Sequence, residues 1–171
     1  DIEERTMLSG QILNKDGKVL KENIALNDIV LQAGQVTKMI AFDLYIDDKF
    51  ICSQKADGLI VSTPTGSTAY ALSAGGSIIH PSLNVFGIVP INPHKLSNRP
   101  IIVSGDSNIK ILVSTFRSEK HPFCTFDGQE SYEVEELAEI HIKKHTNKLK
   151  LVHLNKYNYH EVCREKLGWA S

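Results

Sequence analysis

Residues 63–70 read Thr-Pro-Thr-Gly-Ser-Thr-Ala-Tyr, a density of small and hydroxyl-bearing side chains suited to a loop that holds a ligand through its backbone. Gly66 lets the main chain approach a ligand closely, and Pro64 restricts the loop's shape. The apolar run Leu59-Ile-Val-Ser62 precedes the loop, and Thr68-Ala-Tyr-Ala-Leu-Ser-Ala74 follows it. This order predicts a strand, a loop and a short helix closed by Gly75-Gly76. The amino end of such a helix presents unpaired backbone N–H groups, with Ser67 or Thr68 placed to cap it or to meet a ligand. An anionic group or the acceptor nitrogens of an adenine ring would fit there, and Tyr70 could add a ring face. A bare Thr-Gly-Ser-Thr is more often a capped turn without a ligand.

Other reactive types carry weaker signals. Ala71-Leu-Ser-Ala-Gly75 is one residue away from the Gly-x-Ser-x-Gly elbow of serine hydrolases. That elbow needs a strand immediately before its serine, whereas Ser73 follows a helix-forming stretch. His141-x-x-x-His145 has the spacing of two metal ligands on a helix, but Glu139-Ile-His-Ile142 alternates like a strand, which keeps the two rings apart and facing solvent. Cys52, Cys124 and Cys163 are odd in number and form no Cys-x-x-Cys pair, so reduced structural thiols are expected.

The elements that must position the loop read mainly as strands. Leu8, Ile12, Ile24, Leu26, Ile29, Ile40, Phe42, Leu44 and Ile46 fall largely on alternate positions. Asn14-Lys-Asp-Gly17 and Asp47-Asp48 supply hairpin turns. Further short apolar runs recur near residues 85–91, 100–104, 109–113, 122–126, 139–142 and 149–152, separated by Gly105-Asp106, Asp127-Gly128 and Thr146-Asn147 turn signals. Spacing of roughly ten residues predicts a mainly β fold, a multi-stranded β-sandwich, rather than a doubly wound sheet. Residues 159–168 suit a carboxyl-terminal helix ending at Gly168, with Val162, Leu167 and Trp169 available for packing. Residues 92–99 form the longest irregular segment and are expected to cover a site.

At 171 residues, 42% hydrophobic and 23% charged, the chain suits one domain over residues 1–171 with a sizeable core. A net charge of -1 without a long Lys/Arg block disfavours a nucleic-acid partner and favours a small molecule. Asp1-Ile-Glu-Glu-Arg5 lacks the order of a signal peptide and no apolar run reaches membrane-spanning length, so a cytoplasmic protein is expected.

Beyond the loop itself, residues 57–76 and the following His80-Pro81-Ser82 resemble the NAD kinase family almost throughout. Ala25-Leu-Asn-Asp-Ile-Val-Leu31 resembles its Asn-Glu/Asp motif, and Pro93-His-Lys-Leu-Ser-Asn-Arg-Pro100 its Pro-His-x-Leu-Ser-x-Arg-Pro segment. Asp127-Gly-Gln129 resembles its late Asp-x-Gln turn, and Lys166-Leu-Gly-Trp169 fits as well. The resemblance is to the carboxyl-terminal, β-rich, substrate-binding part of the family.

It implies phosphoryl transfer from ATP, or polyphosphate in some members, to the 2′-hydroxyl of the adenosine ribose of NAD, giving NADP. Asn27 would contact the adenine and Asp28 the ribose hydroxyls, chemistry that an amide and a carboxylate can perform. Standing alone, the same pair suits an Asx turn. Asp57 would help bind NAD towards the nicotinamide end. Thr68, Ala69, Tyr70, Ala71, Leu72 and Ser73 would line the adenosine pocket, Gln129 would add a contact, and Asn92 would face the nucleotide. Lys38 and Lys55 stand where many relatives carry Arg, keeping charge but losing the bidentate fork. Mg²⁺ is implied as the partner of ATP in the whole enzyme, and a homotetramer or homodimer as the assembly. The family's Gly-Gly-Asp-Gly motif, which supplies the catalytic carboxylate, does not occur in the 171 residues. The chain alone is therefore expected to be a very poor or inactive kinase, with nucleotide binding and oligomer assembly as the alternative role.

Overall fold

Alternating apolar residues place side chains on opposite faces of extended backbone. The computed structural model, which describes residues 1–34, 39–114, 120–154 and 157–169, arranges these stretches as two large sheets and one small one. The first large sheet has the order β3 (Val19–Ala25), β2 (Leu8–Leu13), β13 (Glu139–Lys144), β10 (Ile109–Val113), β5 (Ile40–Ile46) and β6 (Lys49–Ala56). The second has the order β12 (Glu130–Glu133), β11 (Phe123–Phe126), β4 (Asp28–Gln32), β7 (Gly58–Ser62), β8 (Val85–Ile91) and β9 (Ile101–Ser104). β1 (Ile2–Arg5) pairs separately with β14 (Leu149–Val152). Neighbouring strands run antiparallel, so the expected β-sandwich is the fold observed.

The core lies between the two six-stranded sheets. Leu8, Ile12, Phe42, Leu44, Ile111 and Ile140 of the first meet Ile29, Leu31, Leu59, Val61, Phe86 and Phe126 of the second in one buried cluster. Each such side chain contributes roughly 1.5–3 kcal/mol by leaving water. A Cβ on Gly10 would stand 2.7 Å from Cδ1 of Ile29 and 2.8 Å from Cε1 of Phe126. The missing side chain there lets the second sheet's apolar groups seat against β2.

Strand pleating sends Asp28, Val30 and Gln32 of β4 to the outer face of the second sheet, opposite Ile29 and Leu31. A smaller buried cluster forms on that face from Val30, Ile60, Val89 and Ala71. Ala71 belongs to a short helix, α1 (Tyr70–Ser73), which follows a 3₁₀ turn over Thr65–Thr68. The single helix expected over residues 68–74 is thus two pieces. Ala69, at φ -100° and ψ -131°, breaks the backbone between them. The first piece is pinned by its own contacts to residues 27 and 79, which sets its direction independently of the second.

The terminal helix α2 (Tyr159–Leu167) begins where the Asn158 side chain accepts from the amides of His160 and Glu161, and ends at Gly168 in the left-handed region. Cys163 is its buried residue, whereas Trp169 is exposed rather than packed. β1 and β12 are strands that the sequence reading did not separate, because both are short and largely polar.

Candidate functional site

The segment between β7 and α1 is organised by Thr63, which is fully buried. Its hydroxyl donates to the Leu26 carbonyl at 2.5 Å and accepts from the Gly66 amide at 3.1 Å, while its own amide donates to the Asn27 carbonyl at 2.9 Å. The loop is thereby fastened to the residues that lead into β4. Gly66 sits against the same peptide, and a Cβ there would fall 2.0 Å from the Asn27 carbonyl oxygen. No side chain fits.

Ser67, expected as a cap or ligand contact, is buried and used within the protein. Its hydroxyl donates to the Pro64 carbonyl at 2.6 Å and accepts from the Ile79 amide at 2.9 Å. The 3₁₀ turn has no side-chain cap. Thr68 is exposed and its hydroxyl reaches only the Thr65 carbonyl, at 3.3 Å. Of the two hydroxyls, Thr68 is the one open to a ligand.

A second turn closes the site from β11. Asp127, at φ 52°, directs its carboxylate into the chain before β4. There it accepts from the amides of Leu26 at 2.7 Å, Asn27 at 2.7 Å and Asp28 at 3.1 Å. Three successive N–H groups on one carboxylate hold residues 26–28 in a fixed curve. Gln129, exposed, lies two residues beyond on the same turn, with its amide on the Phe126 carbonyl.

Asp28 is the chemically unusual member. It is 5% exposed, and among the described residues no hydrogen bond to its carboxylate is formed. Burial pushes its pKa up to about 6, and the nearby charge of Asp127 adds to the rise. Its carboxylate oxygens are not among the fully enclosed unpartnered side-chain atoms of the described residues, so the group keeps an opening through which water or a ligand can donate to it.

The other end of β4 gathers a different group. Register pairs Gln32 with Gly58 and Gly58 with Ile91. Asp57, just before β7, accepts from the Asn92 side-chain amide at 3.0 Å. Asn92 holds φ 43°, where an Asn is tolerated. Tyr70 leans the same way, its hydroxyl accepting from Gln32 at 3.2 Å. Along β4, roughly 13 Å separates the Asp28 and Gln32 ends, and the loop with α1 runs between them.

Asn27, Asp28 and Gln129 therefore share the Asp127 end, Asp57, Asn92 and Tyr70 share the Gln32 end, and Thr68 and Ala69 lie in the chain that runs from one to the other. Ala71 packs inward on the sheet, Leu72 is half-buried and Ser73 is exposed at the end of α1. The helix before Ser73, in place of a strand, leaves it without the elbow geometry of a serine nucleophile. Lys55 stands apart in a cleft of about 320 Å³ with Asp43, Ser53, His94, Lys95 and Ser114. Lys38 lies outside the described residues. Asp127, Thr63 and Gln32 were missed as site-forming residues. The Asp127-Gly128 turn signal could have found the first, since an Asp at positive φ frees its carboxylate to reach across a turn.

The profile of the ATP-NAD kinase C-terminal domain family matches residues 26–154. The chain is 51% identical over 170 residues to an NAD kinase of Pseudomonas fluorescens, and 50% identical over 169 residues to one of Ectopseudomonas mendocina. Each alignment takes in 99% of this chain and 57% of the relative. The chain thus spans little more than half the length of these curated relatives. Among solved structures, yeast NADH kinase complexed with NADH is similar with a TM-score of 0.91 and 30% identity, over 99% of this chain and 51% of that one. An NAD kinase from Archaeoglobus fulgidus in complex with ATP is similar with a TM-score of 0.76 and 27% identity, over 98% of this chain and 59% of that one.

Proposed function

We propose, for a chain that belongs to the ATP-NAD kinase C-terminal domain family, that it holds the dinucleotide acceptor in phosphoryl transfer from ATP to the 2′-hydroxyl of the adenosine ribose of NAD. The observation that carries this reading is the buried Asp28, whose carboxylate lacks a protein donor, beside a loop fastened to the chain before β4 that leaves the Thr68 hydroxyl exposed. Ribose hydroxyls would supply the missing donors, and a carboxylate accepts two without rearrangement. Asn27, fixed by Asp127 and by Thr63, would present an amide to the purine edge. Thr68 and Ala69 would line the adenosine, with Tyr70 at its ring face. Asp57 and Asn92, at the far end of β4, would meet the nicotinamide half.

Phosphoryl transfer relies mainly on positioning and on neutralising charge. The contribution of this chain is the first: it would orient one ribose and keep water away from it. Mg²⁺ would come with the ATP of the whole enzyme and neutralise its phosphates. Among the described residues no three His, Cys, Asp or Glu side chains gather as a metal site. The same family reading would make the protein a homo-oligomer and leaves polyphosphate as a second donor, and the cytoplasm is the compartment proposed for it.

Calorimetric titration with NAD and NADP tests the pocket. The parent chain should bind NAD, and Asn27→Ala with Asp28→Ala should weaken binding by about 100-fold, as expected for losing two polar anchors. Unchanged affinity in the double variant would mean that the dinucleotide sits elsewhere.

A further inference from the structure

Arg5 ends β1, far from the site in sequence, yet it is only 6% exposed. Its Nη1 donates to the Thr65 hydroxyl at 3.2 Å, and its Nη2 donates to Glu3 at 2.7 Å and to the Tyr157 hydroxyl at 3.1 Å. One guanidinium thus joins the first strand, the first residue of the 3₁₀ turn and the segment leading into α2. The Tyr157 ring is itself fixed, stacked on His153 at 3.9 Å, and His153 bonds Glu3 at 3.1 Å. At the start of α2, Tyr159 donates to the Ile79 carbonyl at 3.3 Å.

The 3₁₀ turn needs an outside anchor. It has four residues, no side-chain cap and only the weak internal bonds that this geometry allows. Thr63, Ser67 and Gly66 hold its inner side, and Arg5 is the charged group that reaches its first residue. A guanidinium fork can serve three acceptors at fixed angles, which an ammonium cannot. With an Arg5 N–H on its oxygen, Thr65 keeps its own hydroxyl proton to donate.

We infer that Arg5 is a positioning residue for the nucleotide loop: acting through Thr65, it fixes the turn that carries Thr68 and Ala69 and ties that turn to β1 and α2. The consequence for NAD affinity rests on the function proposed above, whereas the ordering of the loop does not.

Amide hydrogen exchange in the full polypeptide separates the two. The amides of Gly66, Ser67 and Ala69 report the loop, and those of Leu59, Ile60 and Val61 in β7 report the sandwich. Arg5→Met and Thr65→Val should each speed loop exchange about tenfold, the size expected for a hydrogen bond to a charged group, with β7 unchanged. The double variant should be no faster than either single one, and Thr65→Ser, which keeps the hydroxyl, should match the parent. Unchanged loop exchange, additive effects in the double variant, or equal acceleration in loop and β7 would each overturn the inference. If Arg5→Met does not fold, Thr65→Val against Thr65→Ser decides the matter in the same way. NAD titration of the parent tests the dinucleotide reading separately: its failure removes that reading and leaves the exchange result to decide the role of Arg5.

Discussion

The backbone of Asp28 is bound at both its amide and its carbonyl to Asp127, once through the Asp127 carboxylate and once through its amide, while the two side chains differ in role. The Asp28 amide donates to the Asp127 carboxylate at 3.1 Å, and the Asp28 carbonyl accepts from the Asp127 amide at 3.0 Å. Asp127 has its charge met by three amides, whereas Asp28 is left buried without a donor and has a pKa near 6. The same turn therefore builds one satisfied carboxylate and one open acceptor.

Asp28 should confer a pH dependence on binding. Its ionised form accepts from ribose hydroxyls and its protonated form competes with them, so NAD affinity should fall as pH drops below about 6, by at most about tenfold per unit. Stability should move the other way. Because the folded pKa lies above the unfolded one, Asp28 favours folding below about pH 4, and that contribution is lost as pH rises through about 6. NAD titrations of parent and Asp28→Asn between pH 4.5 and 8 check the affinity, and urea denaturation of both between pH 3.5 and 8 checks the stability, since the variant should lose each step. A parent and variant with the same affinity profile would rule out Asp28 as the titrating acceptor.

Gly66→Ala should be far more damaging than glycine replacement at an open turn such as Gly17. A Cβ at 2.0 Å from the Asn27 carbonyl oxygen must push the loop off β4, at a cost of about 3 kcal/mol and with loss of NAD binding. Gly17→Ala, at φ 80° with nothing within 4 Å of the new atom, should cost only about 1 kcal/mol and leave binding intact. Urea denaturation of the two variants gives the comparison, and equal costs would refute the close-approach argument.

Thr63→Val should cost about 2–3 kcal/mol, because it leaves the Leu26 carbonyl and the Gly66 amide without their partner in a buried place. Thr68→Val, on an exposed hydroxyl, should change stability by less than about 0.5 kcal/mol. Its effect should appear in NAD affinity instead. The split between stability at one threonine and binding at the other is read by pairing thermal melts with titration.

The sandwich was legible because Leu8, Ile12, Phe42, Leu44, Ile109 and Ile111 keep a two-residue period that only a strand buries on one side. Gly-containing and Asp-Asp turns marked the hairpins. β1 was not legible, since Ile-Glu-Glu-Arg carries no apolar period and its order comes from pairing with β14, nearly the whole chain away. The loop was legible as a segment but not in its side-chain roles. Ser67 and Thr68 are neighbours of similar chemistry, and only the approach of Ile79 and Pro64 turns one inward and leaves the other exposed. For the same reason Arg5, which meets the loop from 60 residues away, gave no local signal, and Asp127 was legible as a turn residue but not as the partner of β4 across 100 residues.

Binding and turnover should separate in this 171-residue chain. The groups gathered around β4 are hydroxyls, amides and carboxylates, which can accept from or donate to a ribose but carry no positive charge to neutralise a transferring phosphoryl group. Lys55, in its cleft with His94, is not joined to the Asp28 end by any hydrogen bond among the described residues. NAD should therefore bind to the chain alone while NADP formation, followed with ATP and Mg²⁺ or with polyphosphate, stays at background. Supplying the chain at higher concentration should raise the bound fraction of NAD and leave the rate at background. A rate matching that of a full-length NAD kinase, from this polypeptide by itself, would show that the groups for phosphoryl transfer lie within it and that the division of labour proposed here is wrong.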